Sequence, residues 1–101
     1  VVFVLGAALA VLGASQGLHA LEERVLQDMR AQAYPSLLQS SQAAIRADGA
    51  SFLGHYGMAT ALQELGRAER AIHHAQRAVA SDGTHAMARF RLGQLFLTTG
   101  R

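Results

Sequence analysis

The sequence contains no cysteine, no tryptophan and no lysine, and one proline among 101 residues; its nine basic residues are all arginine. The missing cysteines exclude disulfides, thiolate chemistry and Cys-ligated zinc or iron–sulfur sites. A single Pro beside 10 Gly excludes a collagen-like chain and a Pro-rich linker. Charge is scarce at 16% of residues, and none precedes Glu22. Nine arginines against seven acids leave a net charge of +2, too small for the basic footprint of a nucleic-acid binder. What is abundant is apolar residues, at 50%. The length suits one small domain.

The first 14 residues, Val1 to Ala14, are all apolar or Gly. A membrane-spanning helix takes about 20 mostly apolar residues. With Ser15, Gln16 and Gly17 the uncharged stretch falls just short of that, and the chain opens on Val and not Met. Residues 1–17 are therefore expected to be a transmembrane anchor, truncated at its start, whose helix continues to about residue 33. The rival reading is a secretory signal peptide cleaved near Gly13-Ala14-Ser15. Gly6, Ala10 and Ala14 repeat at intervals of four, as do Gly13 and Gly17, and such small residues would let the span pack closely on a partner helix in lipid.

Beyond Gly17 the pattern is amphipathic. Leu18, Leu21, Val25 and Met29 recur at intervals of three and four, with Glu22, Glu23, Asp28 and Arg30 between them. That helix is expected to end near Tyr34-Pro35, because the residue before Pro disfavours the α region. Pro35 opens a second helix, with Leu37, Leu38, Ser41, Ala44 and Ile45 facing inward, closed by Asp48-Gly49. Three more are expected over Ser51–Leu65, Ala68–Ser81 and His85–Thr99. No stretch alternates with period two, so the fold class is all-α.

An internal period organises these helices. Gly66-Arg67 and Gly100-Arg101 lie 34 residues apart, and so do Asp48-Gly49 and Asp82-Gly83. With two helices per unit, the chain resembles the tetratricopeptide repeat family. Leu92, Gly93, Phe96 and Gly100 match that family's pattern in the last unit; Ala59, Leu62, Gly66, Ala71, Ala78 and Asp82 match it in the middle one. Departures are Arg89 and His55 at an aromatic position, Ala75 at a second, and Gly83 for Pro. In the first unit Ala44, Asp48 and Gly49 survive, but Asp28 and Gln32 stand where Tyr and Gly belong. The expected architecture is an N-terminal transmembrane helix followed by a short superhelix of helical hairpins: a degenerate hairpin over 18–51, then one full repeat and the first helix of the next over 52–101. Such stacks need about three units and a polar cap. This one is incomplete, so further chain or another protein is expected to cover its last helix.

No catalytic constellation stands out. His73 and His74 are adjacent and point about 100° apart on a helix, so they do not readily chelate one ion. His55 is expected to fill the aromatic slot it replaces. His19, beside the expected membrane boundary, reads as an interfacial polar residue, with haem or pigment ligation as the rival. Gly54-x2-Gly57 lies inside a helix pattern without the strand a phosphate loop needs. Arg67, Arg70 and Arg77, with Arg89 and Arg91, read as a solvated face. The expectation is a protein that is not an enzyme, with no cofactor, no metal, no small-molecule substrate and no nucleic-acid partner.

The resemblance implies a binding surface on the concave side of the stack. Here that is Leu53, Tyr56, Thr60, Gln63 and Glu64 with Met87, Phe90, Gln94 and Leu97, more apolar than charged and suited to an amphipathic helix or apolar segment. Acids outnumber arginines just after residue 17, which favours a non-cytoplasmic, periplasmic placement of a bacterial, single-pass protein. The function expected is a non-catalytic accessory or scaffold subunit of a membrane complex, with other subunits and the lipid bilayer as partners. The alternative is a tethered adaptor that binds peptides or clients transiently in assembly or cofactor maturation.

Overall fold

A computed structural model describes residues 17–100. They form five α-helices: α1 over residues 17–30, α2 Tyr34–Ala47, α3 Phe52–Glu64, α4 Ala68–Ser81 and α5 Ala86–Thr99. The fold is all-α. The expected transmembrane helix is corrected: no helix among the described residues is long and apolar enough to cross a membrane. Residues 1–16, which carried most of that expectation, lie outside the described residues.

The helix ends follow from local chemistry. Pro35 sits in the first turn of α2, where its missing N–H costs nothing. Ser51, expected inside α3, is its cap: the Ser51 hydroxyl accepts the Gly54 amide at 3.0 Å. His85 likewise caps α5, its Nδ1 accepting the Ala88 amide at 3.4 Å. Asp48 closes α2 and Asp82 closes α4 with one device. Oδ1 of Asp48 accepts the Ala50 amide at 3.0 Å, and Oδ1 of Asp82 accepts the Thr84 amide at 3.2 Å.

The 34-residue period is therefore visible in three dimensions. α2 and α4 begin at 34 and 68, and α3 and α5 begin at 52 and 86. The left-handed residues Gln32, Gly66 and Gly100, at φ 55°, 79° and 77°, keep the same interval. Gln32 takes the left-handed turn even though the first unit lacks the glycine that normally permits it.

Helix α3 is the centre of the molecule. Its nine consecutive residues 54–62 are all buried, because it packs against α2 on one side and α4 on another. Met58, Ala59 and Leu62 pack with Ala71, Ile72 and Ala75 of α4 and Leu95 of α5. Ala61 packs with Val25 of α1 and with Leu37 and Ala44 of α2. Two glycines permit the approach of α2 to α3. A Cβ on Gly54 would stand 2.8 Å from Cγ1 of Ile45, and one on Gly57 would collide with the Ser41 hydroxyl and stand 2.8 Å from Cγ1 of Val25.

Candidate functional site

The expected concave surface divides in two. Its α5 half is open: Met87, Phe90 and Leu97 are 54%, 58% and 83% exposed, and Gln94 lies among them on the outer face. At helical spacing these four form one stripe. Its α3 half is largely closed. Tyr56 and Thr60 are buried, Leu53 is half-buried against the Val25–Leu37 cluster, and only Glu64 is exposed. Thr60 turns its hydroxyl back to the Tyr56 carbonyl at 2.9 Å. Tyr56 and Thr60, read from the sequence as groove surface, thus belong to the packing between helices.

Arg91 covers part of that half. Its guanidinium lies over the Tyr56 ring, 5.4 Å from the centroid, and Nη1 donates to Oε1 of Gln63 at 2.6 Å. Phe52 stacks on Tyr56 at 5.7 Å, and His85 tilts against Phe52 at 4.4 Å. The aromatic cluster ties the start of α5 to the start of α3. Nothing in the sequence pattern marked Arg91 for this: its partners are 28 and 35 residues away.

A second cluster gathers histidines. Nε2 of His55 lies 2.8 Å from the Gly49 carbonyl, which can only accept, so His55 carries its proton on Nε2. Its Nδ1 lone pair faces Nδ1 of His74 at 3.1 Å, so His74 is the donor there. Ring centroids 5.4 Å apart put the two nitrogens nearly in line. A metal held in line between two imidazoles would need them about 4 Å apart, so this pair shares a proton. His74 is lowered to about 4, first by burial and then by His55, His73, Arg70 and Arg77. An open cleft of about 280 Å³ adjoins it, lined by Gly49, Ala50, His55, Arg77, Ala80 and Ser81. His55 does fill the slot of a packing aromatic, 4% exposed, but with both ring nitrogens engaged.

A third feature is the buried carboxylate of Asp28, at the register position that Leu62 and Phe96 occupy in the later units. It accepts the Ser36 hydroxyl at 3.0 Å and pairs with Arg24 at 3.5 Å. The cleft beside it, about 220 Å³, is lined by Arg24, Asp28, Ser36, Gln39 and Ser40. It contains no second carboxylate and no imidazole to act as acid or base. Among the described residues no three His, Cys, Asp or Glu side chains are grouped to hold a metal. His19 is exposed on α1. Of the expected span-packing residues, Gly6, Ala10, Gly13 and Ala14 lie outside the described residues; Gly17 has nothing within 4 Å of its Cβ direction.

No family model matches the chain, and no curated protein matches it.

Proposed function

We propose that this chain is a non-catalytic helical-repeat scaffold that presents α5 to another protein. The observation that carries the reading is the stripe Met87, Phe90, Gln94 and Leu97, whose three large apolar members stand well out in solvent. The 34-residue interval of the caps and left-handed turns supports it, because stacked hairpins use such exposed faces for contact. The resemblance to tetratricopeptide repeats belongs to the same proposal.

The test is purification of the tagged full-length protein from its native source, beside a Phe90→Asp/Leu97→Asp variant. The expected result is a partner in fixed stoichiometry with the wild type and its loss with the variant. A partner that exchanges during washing and is lost in the same variant would point to the client-binding adaptor instead. Equal recovery of the same partners with both proteins would overturn the α5 surface.

A further inference from the structure

We propose that His55 and His74 form a proton-operated latch that fastens the α2–α3 turn to α4 and releases it in acid. The relay runs across three elements. The Gly49 carbonyl in the turn accepts from Nε2 of His55 on α3, and Nδ1 of His55 accepts from Nδ1 of His74 on α4. Both tautomers are fixed by the first bond, since a carbonyl cannot donate. The one lone pair left free in the relay is on Nε2 of His74.

Proton balance then dictates the sequence of events. The first proton goes to Nε2 of His74 and leaves both hydrogen bonds formally intact. It creates a cation in a half-buried place where the acting neighbours are His55 from α3 and Arg70, His73 and Arg77 from α4; none is acidic. That cation is repelled from its site. Once His74 leaves, Nδ1 of His55 has lost its donor, and the bond re-forms when His74 returns to the neutral state. Burial and cationic neighbours lower His74 from 6.5 to about 4. The folded state therefore favours the neutral ring. The latch is fully held above about pH 6.5, the unfolded value, and is lost as the pH falls from there through 4. The Ser81 hydroxyl, which donates to the Ala50 carbonyl at 2.7 Å, does not titrate in this range and remains as the hinge.

The experiment is amide exchange of the full chain, corrected for intrinsic rates, between pH 7 and pH 4. The readout is the Ser51 amide, bonded to the Asp48 carbonyl at 2.9 Å. Protection of Ser51 is expected to fall at least about tenfold, the equivalent of one unit of differential proton affinity. His74→Gln, which can still donate to His55 but cannot titrate, is expected to flatten that fall. His73→Gln is expected to retain it. An equal fall in His74→Gln, or none in the wild type, would overturn the latch. Should His74→Gln not fold, imidazole nitrogen NMR of the wild type decides. A proton on Nε2 of His55 and a His74 titration well below 6.5 support the latch; a proton on Nδ1 of His55, or a His74 titration at 6.5, refutes it.

Discussion

Arg91 on α5 lies over the ring of Tyr56 on α3, and the same guanidinium reaches Gln63 two turns along. An arginine on a late helix thus sets how α5 sits on the central one. The contact combines a charged hydrogen bond with a cation over an aromatic face. Arg91→Met is expected to destabilise the fold by about 1–3 kcal/mol, since it removes both. Tyr56→Phe keeps the ring and is expected to cost less than about 1 kcal/mol. Urea denaturation of the two variants measures the difference, and equal losses would show that the phenol hydroxyl and not the ring is what matters.

Glycines in two helices should respond oppositely to alanine. Gly57→Ala drives a methyl into Ser41 and Val25, so a loss of about 1–3 kcal/mol is expected from overpacking. Gly93 lies inside α5, exposed, with nothing within 4 Å of a new Cβ. Gly93→Ala is expected to gain about 0.5–1 kcal/mol from helix propensity alone. Thermal melts of both would test this; a stabilised Gly57→Ala would mean that α2 and α3 are held less tightly than their spacing implies.

The turn after α1 offers a gain of stability. Gln32 holds φ 55° where the equivalent positions 66 and 100 are glycine. Gln32→Gly is expected to stabilise by about 0.5–1 kcal/mol, as relief of the left-handed strain outweighs the added freedom of the unfolded chain. Gly66→Ala, at φ 79°, is expected to destabilise by about 1 kcal/mol or more. No change in denaturation midpoint for either variant would count against strain at these turns.

The helices were legible because their ends are written locally: Pro35, Asp48, Asp82, Gly66 and Gly100 each act within a few residues of where they stand. The period was legible for the same reason. What escaped the sequence depends on pairs distant along the chain. Gly57 looks like an ordinary weak point of a helix until Ser41 and Val25 are brought against it. His55 and His74, 19 residues apart, show no spacing that announces a shared proton. The apolar run at the N-terminus led to a membrane span because hydropathy weighs each residue by type alone. The described helices, interrupted by polar faces, give that reading no continuation. The burial of Tyr56 and Thr60 escaped the sequence for a related reason: position in a repeat marks which side of a helix points inward, but not that Arg91 would lie across Tyr56.

Nine buried residues in succession leave α3 with no face of its own. In an ordinary stack each unit leans on its neighbours, and a terminal hairpin can fray while the rest persists. Here Ala61 is covered by α1 and α2, Leu62 by α4 and α5. Loss of either flank strips a strip of the same helix, so the ends of the molecule communicate through its axis. The described helices are therefore expected to unfold as a single cooperative unit, with α3 the last element to open.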